Sequence, residues 1–265
     1  MLRSILEKAT RRSSFRRSLP KEVGGARIYV SGSAGLKYLF RPMEAVDPVL
    51  CGLAREFVQP GNVVWDVGAN VGLFSFAAAH CAGPSGKIFA FEPDVWLVQL
   101  LRHSASIQPG TSASVQIIPT AVANACDVRT FNIAARSRAS NALSGYGQSQ
   151  SGGIAEQQSV MSVSLDWLAE RLPHPDVIKI DVEGAELEVL NGALGLLQTK
   201  RPIVLCEVSA ERSEEITGFL RAAGYRIYDG EALSAAREEV ALAPWNTIAI
   251  PATRAGHSRA RFAGE

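Results

Sequence analysis

The sequence is poor in the features that mark secreted, membrane-bound or nucleic-acid-binding chains. Its four cysteines, Cys51, Cys81, Cys126 and Cys206, are far apart and form no CxxC pair. That spacing argues against a zinc site and offers no disulfide framework. It fits a reducing, cytoplasmic setting. No apolar run approaches the roughly 20 residues of a membrane-crossing helix, and no signal peptide is recognisable, so no membrane span is expected. The formal net charge is +1 over 265 residues. Without a basic excess there is no broad phosphate-binding footprint, and no nucleic acid partner is expected. No internal repeat is found, and nothing in the sequence encodes an oligomeric state. One stretch is locally skewed: "RRSSFRR" places Arg11, Arg12, Arg16 and Arg17 together with no acid among them. Residues 1–20 are expected to form a solvated basic tail, with a nucleic-acid, membrane or targeting role as the alternative.

What the chain does have is a globular balance of 47% hydrophobic and 20% charged residues, with enough length for one large core. "RIYV" (27–30) and "LKYLF" (36–40) read as a hairpin, and 44–58 carries apolar residues at helical spacing before Pro60-Gly61. Strands and helices then alternate. Strands are predicted at "NVVWDVG", at 87–93, 114–122, 177–184 and 201–209, and closing strands at 225–229 and 245–250. Helices are predicted at about 71–81, 94–106, 184–198 and 213–223. The stretch 128–134 is either a further strand of the sheet or part of a small flap. This order implies an α/β fold, a doubly wound, mostly parallel sheet with helices on both faces. A single domain is expected over 21–251, made of a hairpin and helix at 21–60 and a core at 61–251, with a tail at 252–265. The segment 135–158, rich in Ser, Gly, Gln and Ala, breaks the alternation. It reads as a long loop, either a lid or acceptor-binding segment or a plain insertion. Asp166 is placed near the start of a helix within 163–172.

The first strand–helix junction carries "DVGANVG", Asp66 to Gly72. A dinucleotide fingerprint wants G-x-G-x-x-G, and here Asn70 stands where the second glycine belongs. An acid at the strand end would also repel a pyrophosphate on the following helix N-terminus. Asp66 suits a ligand with positive charge, as S-adenosylmethionine has in its ammonium and sulfonium groups. Gly68, Ala69, Asn70 and Gly72 would form the turn that meets that ligand. Glu92, at the end of "FAFEP" and 26 residues beyond Asp66, is placed to accept hydrogen bonds from ribose hydroxyls. Ala121, ending the third strand segment, is assigned to the same donor-binding set.

Across the same rim, "VIKIDVEG" delivers Asp181 and Glu183, and "PIVLCEVS" delivers Glu207. The alternation puts Lys179, Asp181 and Glu183 on one face. Lys179, inside a central strand, requires a carboxylate partner. These residues are either a structural ion-pair set or the catalytic face toward a methyl acceptor, with Asp181 the first choice of general base and Glu183 or Glu207 next. Their oxygens would equally suit a divalent ion such as Mg²⁺. No "NPPY"-type turn follows this strand, which disfavours methylation of a nucleic-acid amino group. His80, His103, His174 and His257 are assigned structural positions.

"VVWDVGANVGLFSFAAA", "IFAFEPD", "SVSLDWL", "VIKIDVEGAELEVLNGA" and "PIVLCEVS" together resemble the successive motifs of the FkbM family of S-adenosylmethionine-dependent methyltransferases, with "WNTIAI" similar to its last strand. The resemblance runs from about Val63 to Glu207. It implies a class I methyltransferase fold and O-methylation of a sugar, polyketide, lipid or related metabolite, so a small-molecule or glycan acceptor. It covers neither the first 40 residues nor 135–158. The alternatives are a non-catalytic methyltransferase-like binding module and an NAD-dependent oxidoreductase.

Overall fold

A computed structural model describes residues 13–147 and 152–253. In chain order, β1 (Phe15–Ser18) and β2 (Arg27–Val30) form an antiparallel pair, followed by α1 (Lys37–Phe40) and α2 (Pro48–Phe57). Next come β3 (Val63–Val67), α3 (Leu73–Ala82), β4 (Lys87–Phe91), α4 (Val95–Ser106) and β5 (Ser114–Ile118). An insertion holds β6 (Ala121–Val122), β7 (Asp127–Ala134), β8 (Ala142–Leu143) and β9 (Ile154–Val163). The chain then runs through α5 (Leu165–Ala169), β10 (Val177–Ile180), α6 (Glu186–Asn191), α7 (Leu194–Thr199), β11 (Ile203–Glu207), α8 (Ser213–Ala222), β12 (Tyr225–Asp229) and β13 (Asn246–Pro251).

The central sheet has seven strands in the order β12-β13-β11-β10-β3-β4-β5. Six run in one direction, and β13, between β12 and β11, runs antiparallel to both its neighbours. The order reverses between β3 and β10, which opens a crevice at their C-terminal ends. Both faces are covered, so the inner strands are apolar almost throughout. Val64, Val177 and Leu205 face a core shared with α2, α3 and α4. Trp65, Ile178 and Val204 face one shared with α5 to α8. Trp65 is fully buried and donates its indole N–H to the Pro173 carbonyl at 3.2 Å.

Several sequence expectations require correction. Residues 36–40 do not pair with β2; Lys37–Phe40 is a helical turn, and β2 pairs with Phe15–Ser18 from the expected tail. Arg17 is fixed there by donating to the Leu39 and Arg41 carbonyls, whereas Arg11 and Arg12 lie outside the described residues. The 114–122 segment divides at Pro119, and its two parts enter different sheets. The stretch 135–158 is not a loop throughout. Ile154–Val163 is a ten-residue strand antiparallel to β7, within a second sheet of order β6-β9-β7-β8. The flap alternative for 128–134 is the one the structure shows. Residues 148–151 of that segment, 254–265 of the C-terminal tail and His257 with them lie outside the described residues. The 184–198 helix is interrupted at Gly192, where a Cβ would meet the Ala123 carbonyl at 2.3 Å. Asp166 does lie in the first turn of α5, whose cap is Ser164, and its carboxylate accepts the Gly195 and Leu196 amides at the start of α7.

Candidate functional site

The turn after β3 is shaped by three alternating left-handed residues, Gly68 (φ 78°), Asn70 (φ 52°) and Gly72 (φ 87°). Asparagine is the non-glycine residue best suited to that conformation, which is how Asn70 serves where a dinucleotide loop has glycine. The loop is stitched to β4. The amides of Gly68 and Ala69 both donate to the Phe91 carbonyl at 3.0 Å, and the Asn70 amide donates to Glu92 Oε2 at 2.9 Å. The glycines serve packing as much as access: a Cβ on Gly68 would lie 1.8 Å from the Asp181 carbonyl oxygen, and one on Gly72 would strike Phe76 and Leu101.

Asp66 and Lys179 face each other in the β3–β10 register. Asp66 is fully buried, accepts the Ser75 hydroxyl at 2.5 Å and lies 3.6 Å from the Lys179 ammonium. The positive charge expected opposite Asp66 in a ligand therefore comes from the chain itself, and Asp66 lines neither pocket described below. Lys179 also donates to the Gly68 carbonyl and to Asp181 Oδ2, each at 3.1 Å. Burial alone would push the Lys179 ammonium down, but Asp181, Asp66 and Glu207 reverse that and hold it above the usual lysine range.

The strand periodicity that pairs Lys179 with Asp181 ends before Glu183. Glu183 sits in the left-handed region at φ 56°, followed by Gly184 at φ 103°. Glu186 holds this turn by accepting the Val182 and Gly184 amides at 3.2 and 2.9 Å. A side chain in so sparsely populated a conformation persists only where the surroundings fix it. Neither Glu183 nor Glu207 has a side-chain hydrogen-bond partner among the described residues. Burial, then the Asp181 charge, push Glu183 up to about 8 and Glu207 up to about 7. Burial likewise raises Glu92 to about 8, although the Asp94 and Asn70 amides pull the other way.

Two pockets adjoin at these residues. The first is lined by the ends of the parallel strands β3 and β4, through Val67, Gly68 and Asn70 and through Phe91 and Glu92, and by Thr120, Ala121 and Val122, where the chain leaves β5 and enters the second sheet. Its other wall carries Arg138, Asn141 and Leu143, from the 135–158 stretch expected to be either a lid or acceptor-binding segment or a plain insertion. Asp94 caps α4 by accepting the Trp96 amide, and it also holds Arg138 and Asn141. The second pocket is polar and lined by Lys37, Tyr38, Asp47, Lys179, Glu207 and Asn246. Asn70, Ala139, Asp181 and Glu183 belong to both. The expected site residues thus converge, apart from Asp66, which supports them from below through Lys179, and Gly72, which caps α3. Among the described residues no three His, Cys, Asp or Glu side chains are arranged to hold a metal ion. The expected divalent-ion alternative has no ligand set there, and the Lys179 ammonium occupies the middle of the acid cluster.

A seven-stranded sheet of this order with one antiparallel strand, and a rim of acids at its switch point, define the class I methyltransferase architecture. Residues 66–227 match the Methyltransferase FkbM domain, and the chain belongs to that family. It is 29% identical over 160 residues to the hexuronic acid methyltransferase AglP of Haloferax volcanii, a match spanning 60% of this chain and 60% of that relative. Among solved structures, one described as the precorrin-6y C5,15-methyltransferase of Geobacter metallireducens is 17% identical, with a TM-score of 0.44, over 81% of this chain and 90% of that one. The methyltransferase FkbM of Methylobacillus flagellatus is 14% identical, with a TM-score of 0.43, over 75% and 49% respectively.

Proposed function

We propose that the chain transfers a methyl group from S-adenosylmethionine to a hydroxyl of a sugar-like acceptor. The observation that carries this is the shared wall of Asn70, Ala139, Asp181 and Glu183 between a pocket built on the ends of β3 and β4 and the segment after β5, and a polar pocket rich in carboxylates. The first pocket fits the donor: Glu92 has lone pairs left for ribose hydroxyls beyond the two amides it accepts, and the buried side-chain oxygen of Asn70 has no hydrogen-bond partner among the described residues. Gly68, Asn70, Glu92 and Ala121 would hold the donor, with Phe91, Val122 and Leu143 as the apolar wall. Bound S-adenosylmethionine supplies a methyl on a sulfonium, which forms a C–O bond as its C–S bond breaks to leave S-adenosylhomocysteine.

The chain's own part is to orient the acceptor and take its proton. We place Glu183 ahead of Asp181 as general base. Glu183 faces both pockets and is unpaired, and its raised value suits proton transfer near neutrality. The Asp181 carboxylate is held by Lys179 at 3.1 Å, which fixes its position and engages one of its oxygens. The sugar assignment leans on the hexuronic acid methyltransferase relative and on the polar lining. The cysteines, all four free, support a cytoplasmic setting. No helix among the described residues is long and apolar enough to cross a membrane. Isothermal titration with S-adenosylmethionine, S-adenosylhomocysteine and NAD, followed by transfer of labelled methyl to a panel of sugars, tests the proposal. Binding of NAD in preference to the other two would sink it.

A further inference from the structure

Trp245 and Leu242, 52% and 51% exposed, line one groove together, so they form an apolar patch and not isolated surface side chains. Trp245 lines the acceptor pocket and also this neighbouring groove, formed by Val208, Ala210, Leu242, Pro244 and the start of α8. Its position is fixed by the sheet. The Val208 amide donates to the Trp245 carbonyl at 2.8 Å, and the next residue, Asn246, is registered against Glu207 at the end of β11. An aromatic face is therefore held beside the carboxylates of the acceptor pocket, between that pocket and a second concavity that continues away from it.

We propose that Trp245 is the platform of an extended acceptor groove. The unit to be methylated would sit in the acceptor pocket, and the next sugar of an uncharged oligosaccharide would lie across Trp245 into the groove. This rests on the methyltransferase reading above and names its acceptor class. An exposed indole offers a flat apolar face to the C–H side of a sugar ring while the polar rim meets its hydroxyls. The charge lining sets the preference for an uncharged chain. Glu211 and Glu214 edge the groove, Glu215 beside them is paired with Arg212 at 2.7 Å, and no lysine or arginine among the described residues lines it. In the acceptor pocket Lys179 is already paired with Asp66 and Asp181, which leaves Lys37 against Asp47, joined by Glu207 and Glu183 as they ionise through about pH 7 to 8. A carboxylate on the acceptor would meet like charge on most sides, so the hexuronate preference named for the Haloferax relative is not expected here.

The test compares methyl transfer to hexose glycosides of one, two and three neutral units, and to a two-unit glycoside whose second unit is a hexuronate. In the unaltered protein kcat/KM should rise about tenfold from one unit to two, a difference of about 1.4 kcal/mol, and fall again for the hexuronate. Trp245→Ala should erase the gain from the second unit, and Trp245→Phe should keep most of it. Titration with S-adenosylhomocysteine should be unchanged in both variants, because Trp245 does not line the donor pocket. Equal use of one and two units, or a gain that survives Trp245→Ala, overturns the groove. A preference for the hexuronate overturns the charge assignment. If no sugar of any length is methylated while the donor still binds, the sugar reading itself fails and this inference fails with it.

Discussion

Lys179 is an ammonium on an inner strand, tied to two carboxylates and a carbonyl. Removing one partner from a buried pair leaves the other uncompensated, at a cost of about 3–5 kcal/mol. Lys179→Met should therefore lower stability by about that much in urea titration, and a second change, Asp66→Asn, should recover part of the loss. Glu183 and Glu207 lead to a pH prediction. Their folded values lie above the ordinary 4.5, so their contribution to stability is fully present below 4.5 and is lost as pH rises through about 7 to 8. Glu183→Gln should leave the melting temperature unchanged near pH 4 and raise stability at pH 8 by on the order of 1 kcal/mol, once solvent in the pocket is allowed for. Activity runs in the opposite sense. Turnover should climb through pH 7 to 8 as the base loses its proton, and Glu183→Gln should cost about 10²–10⁴-fold in kcat. The pairing of Lys179 with Asp181 is legible in the sequence because a strand alternates. The place of Glu183 is not, because it depends on a left-handed turn that Glu186 stabilises from three residues further on.

Among the local elements, the loop after β3 and the segment across the donor pocket carry the site. Gly68→Ala would push a methyl into the Asp181 carbonyl from a left-handed backbone. It should destabilise by about 1–3 kcal/mol and weaken binding on both sides of the shared wall, read by denaturation and by donor titration. Asp94→Ala removes a helix cap and frees Arg138 and Asn141 together. Helix stability should drop by about 1 kcal/mol, and S-adenosylmethionine should bind more weakly, while the acceptor pocket is touched only through Ala139. The loop was readable because Gly, Asn and Gly at fixed spacing encode positive φ. The segment 135–158 was not. Its composition suggests a loop, yet Ile154–Val163 gains order from pairing along the whole length of β7, a tertiary effect that local propensity does not register.

Over the whole molecule, the alternation of apolar strands and helices made the parallel sheet legible, and the two apolar faces of β3 and β10 account for its burial. Of the second sheet only β7 was legible, through the flap alternative for 128–134; its partners are short or polar, β9 is largely exposed, and the sheet encloses only a small apolar cluster. Trp65→Ala, in the middle of the larger sheet, should lower stability by about 3–5 kcal/mol in chemical denaturation. Turnover should persist in EDTA, since the cation among the acids is Lys179.

Because Asn70, Ala139, Asp181 and Glu183 form one partition for two ligands, occupancy on either side restricts the motion of the same four residues. The second ligand to arrive then meets a wall already ordered, so the two should bind with positive cooperativity even if no atom changes its mean position. Linkage makes the effect reciprocal: the factor by which S-adenosylhomocysteine tightens a sugar must equal the factor by which that sugar tightens S-adenosylhomocysteine. Titrations in both orders should return one number greater than unity, and independent binding would show that the partition is rigid before either ligand arrives.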